Sequence, residues 1–174
     1  VYTSAAEVAE AGWVTTGDTQ DPIGRAARIA FSQDPKPSKI YIAVRQTIGN
    51  NKEPVSTTMN RAAMVSGWYV ACPIGFTDAE LLTLAQWIET TEKMMAFTTL
   101  STADPLNNLF YRSFGVYGCV MAGQTASDLA TAGYEDNLYA AVALTAKTLC
   151  YSSGSETFAN QVVNGIRSEE HTSE

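Results

Sequence analysis

Cys72 is the first residue to consider as a source of chemistry, because a thiol near the start of a helix can become a nucleophile. It begins the run Cys72-Pro73-Ile74-Gly75, between an apolar stretch and a predicted helix. A cysteine nucleophile usually needs a histidine base, and the only histidine is His171, near the end of the chain. Two interpretations follow. Cys72 is either a reactive thiol at the centre of a hydrolase-like or flavodoxin-like enzyme or ligand-binding domain, or a buried structural cysteine, which the histidine content favours.

Other patterns that signal catalysis or ligand binding are absent or have simpler explanations. The motifs G-x-S-x-G, G-x-x-x-x-G-K-[ST] and G-x-G-x-x-G do not occur. Ser152–Ser155 suits a turn better than a phosphate cradle. The carboxylate pairs Asp78/Glu80 and Glu89/Glu92 suit a helix N-terminus and a solvated helix face. No His or Cys pair has metal-ligand spacing. The sequence therefore predicts no catalytic, cofactor-binding or metal-binding residues and no enzyme.

The charge and the cysteines limit the class of protein further. A net charge of −7 without a cluster of Lys and Arg argues against nucleic acid as a partner. No apolar run approaches the roughly 20 residues needed to span a membrane, so no membrane partner is expected. Cys72, Cys119 and Cys150 are odd in number and widely spaced, which predicts free thiols in a reducing compartment.

The last eight residues, Arg167–Glu174, read RSEEHTSE, the in-frame translation of a widely used sequencing-library adapter. We therefore expect them to be an artefact and the native sequence to be a fragment of a longer protein. Without them, ten basic and fifteen acidic residues leave a net charge of −5, and no histidine remains. We predict one domain over residues 1–166, with a possible insertion point at residues 47–55.

The elements that must position these residues alternate between helices and strands. In the first half, Ser4 with Glu7 predicts a short capped helix, and residues 13–20 a loop. Asp21-Pro22 opens a second helix, whose predicted buried face is Ile23, Ala26, Ala27, Ala30 and Phe31. Residues 39–45 (KIYIAVR) predict a strand covered on both faces, and residues 56–65 a short helix.

The stretch Trp68–Leu100 is the clearest unit: a strand at residues 68–74, a helix capped by Thr77 with Glu80, and a strand at residues 94–100. A strand, helix and strand of these lengths predict a right-handed parallel crossover. After it we predict a helix from Asp104-Pro105 to Gly115, a strand at residues 116–122, a helix at residues 134–150 with Leu138, Ala141, Val142 and Leu149 on one side, and a last strand at residues 157–163. The fold class is α/β, a mostly parallel sheet with helices on both faces.

Ligands of open parallel sheets bind beyond the carboxyl ends of the strands. The loops predicted to lie there are residues 47–54, 73–77, 101–104 and 123–133. The aromatic residues Trp13, Trp68, Trp87 and Tyr111 are expected in the core or at an interface rather than as base-stacking platforms.

Three segments resemble the tail-sheath proteins of contractile-tailed phages, in the sheath-like family long known only as a domain of unknown function. YTSAAEV with AARIAFSQDPKPSKIYIAVR (residues 2–8 and 26–45) resembles the pattern S-x-x-E-V … Q-x-P-x-P-x-K-x-Y-I. Residues 67–102 resemble its W-Y … D-x-E-x-x-x-x-A-x-W-x-E … F-x-x-T-S progression. GSETFANQVVNGI (residues 154–166) is similar to its P-G-S-x-T ending, with Ser153 in place of the proline.

This resemblance implies a subtilisin-like sheath core domain that lacks a catalytic triad and needs no cofactor. Such subunits form stacked rings around a tail tube and contract to drive the tube through the host envelope. The implied partners are neighbouring sheath subunits, the tail tube protein, and the baseplate and tail terminator proteins. The implied location is the phage tail of the virion, and the host cytoplasm before assembly.

Overall fold

A computed structural model describes residues 1–17, 20–49, 51–101, 106, 109–151, 157 and 161–166. The helices are α1 (Ala5–Glu10), α2 (Pro22–Phe31), α3 (Val55–Ala63), α4 (Asp78–Glu89), α5 (Ala126–Thr131) and α6 (Ala140–Thr148), which a 3₁₀ helix, Glu135–Tyr139, precedes. The strands are β1 (Thr47–Ile48), β2 (Asn51–Lys52), β3 (Val70–Ala71), β4 (Met94–Thr99) and β5 (Ser113–Tyr117).

The centre of the molecule is a parallel three-stranded sheet in the order β3-β4-β5. Val70 and Ala71 pair with Met94 and Met95, and β4 continues along β5 from Met95–Ser113 to Thr99–Tyr117. The parallel β3–α4–β4 crossover is therefore confirmed. The hairpin β1–β2 is a separate antiparallel pair.

Helices cover both faces of the sheet, which confirms the predicted α/β class. On one face α4 and α3 enclose the first core, which consists of buried side chains from those helices, β4 and the loop after it: Val55, Met59, Leu81, Leu84, Ala85, Ile88, Met95, Phe97 and Leu106. On the other face α6 packs on β4 and α2 packs on α6. The second core there contains Ala26, Ile29, Tyr139 and Ala143.

The predicted helix starts are confirmed by their hydrogen bonds. The Ser4 side chain accepts from Glu7 N at the start of α1, and Asp21 accepts from Gly24 N at the start of α2. Thr77 and Glu80 form the predicted capping box of α4. The buried faces were predicted less well, because Ile29 is fully buried in α2 and Leu149 is exposed after α6.

The predicted strand at residues 39–45 is wrong in this structure. Only Ile40 makes a bridge, an antiparallel one to Tyr2, and residues 41–46 have no regular structure. Strand propensity measures how well a side chain fits a pleated, half-buried surface, so an alternating apolar run does not by itself make the main-chain hydrogen bonds of a strand. The predicted strand at residues 68–74 is likewise shortened to β3.

The prediction for residues 104–122 is only partly confirmed: the strand predicted at residues 116–122 exists, but it is β5 (Ser113–Tyr117) and begins earlier. Asp104-Pro105 lies outside the described residues, but Gly115, predicted to close a helix, is in the middle of β5. A Cβ at Gly115 would lie 3.1 Å from Cζ of Phe97. The glycine therefore allows Phe97 to pack closely on the strand, which is a recognised use of glycine inside sheets.

Two further predictions near the end of the chain need correction. Residues 123–133 contain α5, whose Thr125–Asp128 capping box was not predicted. The predicted last strand is not seen at Thr157 or Gln161–Val163, the part of it that the structure describes. The turn at Ser152–Ser155 and the segment Arg167–Glu174 lie outside the described residues.

Candidate functional site

Cys72 lies immediately after β3, where its environment suppresses thiol reactivity. Its Sγ is 3.3 Å from Oγ1 of Thr145 on α6. Burial raises the pKa of the Cys72 thiol to about 11, and the contact with Thr145 offsets only part of that effect. The thiol is therefore protonated at neutral pH, and a thiol rather than a thiolate is a poor nucleophile. Cys72 is half-buried rather than fully buried, but its contact with Thr145 supports the structural interpretation, and all three cysteines are free.

The carboxyl end of the sheet, where ligands of open sheets bind, is partly filled by the chain itself. A Cβ at Gly118, just after β5, would lie 2.5 Å from the main-chain oxygen of Asn137 and 2.8 Å from Cγ2 of Thr98. Thr98 Oγ1 also accepts a 3.0 Å hydrogen bond from Ala141 N at the start of α6. This close contact leaves no room for a ligand between the end of β5 and the start of α6.

Three of the four predicted ligand loops have regular local structure or lead into a helix cap. Residues 47–54 hold the hairpin β1–β2, residues 73–77 lead to the Thr77 cap, and residues 123–133 hold α5. Only Ser101 of residues 101–104 is described. Each described loop is therefore accounted for by its own local structure.

The paired carboxylates have structural roles. Glu80 Oε2 accepts from Thr77 N at 2.9 Å, and its Oε1 pairs with Arg45. These contacts, chiefly the one with Arg45, lower the pKa of Glu80 to about 2. Glu89 Oε1 accepts a 2.7 Å hydrogen bond from Arg112 N, just before β5. No group of three His, Cys, Asp or Glu in the described part of the chain is placed to hold a metal ion.

The most elaborate polar cluster, centred on Glu53, was not predicted. Its side chain is 2% exposed and accepts from Arg61 Nη2 at 2.5 Å, Thr58 Oγ1 at 2.7 Å and Gln46 N at 3.1 Å. These bonds, led by that with Arg61, lower the pKa of Glu53 to about 2. Arg45 adds a 2.7 Å bond to the main-chain oxygen of Glu53. The cluster ties the base of the hairpin to α3, and the Arg45–Glu80 pair ties it to α4.

A second ionic cluster joins α2 to the 3₁₀ helix. Arg28 Nη2 lies 2.6 and 2.7 Å from the two carboxylate oxygens of Asp136, and Arg25 pairs with Glu135. These residues are far apart in sequence, so no motif could have revealed the pairing. Because every charge in the cluster has an opposite partner, it serves better as a link between elements than as a ligand site.

The aromatic side chains divide between packing and exposure. Trp68 packs on the first core and donates from Nε1 to Ala62 O at 3.0 Å, while Lys93 Nζ lies 4.7 Å from the centroid of its ring. Trp87 donates to Asn60 Oδ1 at 2.9 Å. Trp13 is half-buried, whereas Tyr111 is 96% exposed at the approach to β5.

An exposed apolar surface surrounds the end of α3, and we call it the α3-end surface. Its members are Val44, Met64, Val65 and Tyr69, and Met64 is 86% exposed. Arg61 donates to Val44 O at 3.0 Å, which places Val44 beside the last turn of α3. Met64 and Val65 follow that turn directly, and Tyr69 precedes β3. Clustered exposed apolar side chains mark surfaces that contact other molecules.

Comparison with known proteins adds no family to this picture: no family model, no curated protein and no solved structure matches the chain. Among the described residues, no helix has both the length and the apolar content required to cross a bilayer.

Proposed function

We propose that the chain is a structural subunit of a contractile phage tail sheath, which assembles as stacked rings around the tail tube and contracts to drive the tube through the host envelope. Its partners are neighbouring copies of itself, the tail tube protein, and the baseplate and tail terminator proteins, without nucleic acid or membrane. It works in the virion tail, after assembly in the host cytoplasm, and needs neither catalysis nor a cofactor.

The main structural support for this proposal is the exposure of the apolar side chains in the α3-end surface. A subunit that works only as part of an assembly must keep apolar side chains on its surface for its neighbours. Met64, Val65 and Tyr69 are exposed beside the outer strand of the sheet, where burying them against another copy would be favourable. Leu109 and Tyr111, at the approach to the opposite outer strand, are also exposed.

The residues that resemble the sheath family have packing roles, which also supports the proposal. In the A-Q-W-I-E stretch of α4, Ala85 is fully buried, Trp87 bonds to Asn60, and Glu89 bonds to the main chain before β5. None of these side chains lies in a constellation suited to catalysis. The geometry around Cys72 likewise gives no support to the enzyme alternative.

Self-association of purified residues 1–166 tests the proposal. Sedimentation velocity should show species that grow with concentration, and negative-stain electron microscopy should show rings or tubes. Met64→Glu places a charge on the α3-end surface and should shift the distribution toward monomer. Ala130→Glu adds the same charge at an exposed position of α5 and should leave the distribution unchanged.

Cys72→Ala separates this function from the enzyme alternative, because assembly should survive the loss of the thiol. A chain that remains monomeric at every concentration and forms no ring or tube would argue against the sheath. Equal effects of Met64→Glu and Ala130→Glu would reject the α3-end surface as the interface.

A further inference from the structure

Side-chain contacts at the two ends of residues 41–45 indicate that this segment follows the direction of β3. At one end, the Tyr41 hydroxyl lies 2.8 Å from the position of a Cβ at Gly67, just before β3. At the other end, the Arg45 guanidinium pairs with Glu80 and lies 5.4 Å from the centroid of the Phe76 ring, both after β3. The two contacts fix the direction of the segment relative to the strand.

The segment has the sequence of a strand but not the hydrogen bonds of one. Ile40, Ile42 and Val44 alternate with Tyr41 and Ala43, yet no main-chain hydrogen bond joins residues 41–45 to β3 in the described chain. Ala43 and Val44 are exposed. β3 uses only the edge that faces β4, so its other edge has no strand partner among the described residues. Within residues 41–45, Val44 O already accepts a 3.0 Å hydrogen bond from Arg61 Nη2. The other main-chain groups of residues 41–45 are complementary to those on the outer edge of β3.

We propose that residues 41–45 form a closing strand, which pairs with β3 as a fourth parallel strand and is seen here in its unpaired position. Pairing would satisfy main-chain groups on both segments and would withdraw the outer edge of β3 from other chains, since open edges are templates for association. The Arg45–Glu80 pair and the bonds from Arg45 to the main-chain oxygen of Glu53 hold one end of the segment in place. This inference concerns the fold of the chain and does not rest on the proposed function.

Residue-resolved amide exchange by NMR tests the closing strand directly. In an outer strand, alternate N–H groups point toward the neighbour, so either Ile42 and Val44, or Tyr41, Ala43 and Arg45, should be protected. We expect those amides to exchange at least about 100-fold more slowly than in an unfolded chain, because they are released only by local opening. Exchange of all five amides at unfolded-chain rates would overturn the proposal.

Proline substitution gives a matched pair of variants. Proline is tolerated in an outer strand only where its missing N–H would have faced solvent. Of Ile42→Pro and Ala43→Pro, one should abolish the slow exchange of the segment and the other should preserve it. If both variants fold and their segments exchange at the same rate, residues 41–45 are not a paired strand. If circular dichroism shows that either variant is unfolded, the amide exchange pattern of the unmodified chain is the test.

Discussion

At the scale of single residues, the described structure uses its strongest charge interactions to join segments. Glu53 and Glu80 each have two or more bonding partners, and both have carboxyl pKa values lowered to about 2. Arg45 contacts both residues. A sequence can show that such charges are present, but it cannot show which pairs meet, because Arg45 and Glu80 are brought together only by the fold.

These depressed pKa values predict how stability depends on pH. A carboxyl group with a lowered folded-state pKa stabilises the protein above its unfolded value, about 4.3 for Glu, and this contribution is lost as pH falls through the folded value. Thermal unfolding of residues 1–166 should therefore show a nearly constant Tm from about pH 6 to 8, since no histidine titrates there. The Tm should then fall steadily between about pH 5 and 2.

Substitution of Glu53 tests whether this carboxylate causes the fall of the Tm at low pH. Glu53→Gln should lower the Tm at pH 7 and flatten its fall below pH 5, because the charge that stabilises the cluster is gone. Glu92→Gln changes an exposed glutamate and should leave both the Tm and its pH profile near those of the parent. A Tm that changed by several degrees between pH 6 and 8 would contradict this account.

At the scale of elements, local hydrogen bonding decides where helices begin. Thr77 caps α4 and Glu80 returns a bond to Thr77 N, so two otherwise unpaired N–H groups at the helix start are satisfied. Thr77→Ala should therefore cost about 1 kcal/mol of unfolding free energy, measured by urea denaturation. Thr83→Ala, at an exposed position in the middle of α4, should be neutral or slightly stabilising because alanine favours helix. Equal losses from both substitutions would show that the cap is not the cause.

The elements that the sequence predicts well are those with a local signal. The caps Ser4, Asp21 and Thr77 predict the starts of α1, α2 and α4, because the residues that bond to each other lie three positions apart. The helix end predicted at Gly115 was wrong because the sequence does not distinguish a glycine that ends a helix from one that allows a side chain, here Phe97, to pack closely on a strand. The strand predicted at residues 39–45 was wrong because a strand depends on hydrogen bonds to a segment that is distant in the sequence. The Glu53 cluster could not be predicted for the same reason.

At the scale of the whole molecule, β4 links the two cores. Met95 and Phe97 of β4 belong to the core against α3 and α4, while Thr98 of the same strand bonds to the start of α6 on the other side. Unfolding of either core would therefore disturb β4, the strand that both cores contact. We therefore expect residues 1–166 to unfold as one cooperative unit, in keeping with a single domain.

One substitution in each core tests this cooperativity. Leu84→Ala in the first core and Ile29→Ala in the second remove fully buried side chains, and each should cost about 2–5 kcal/mol. Tryptophan fluorescence reports mainly on the first core, where Trp68 and Trp87 pack, whereas far-ultraviolet circular dichroism reports on all the helices. In urea, both signals should shift together to lower denaturant in either variant. If Ile29→Ala moved the circular dichroism transition but left the fluorescence transition in place, the helices α2 and α6 would unfold separately from the sheet and α4. The two cores would then be independent units, and the link through β4 would be too weak to make the domain one.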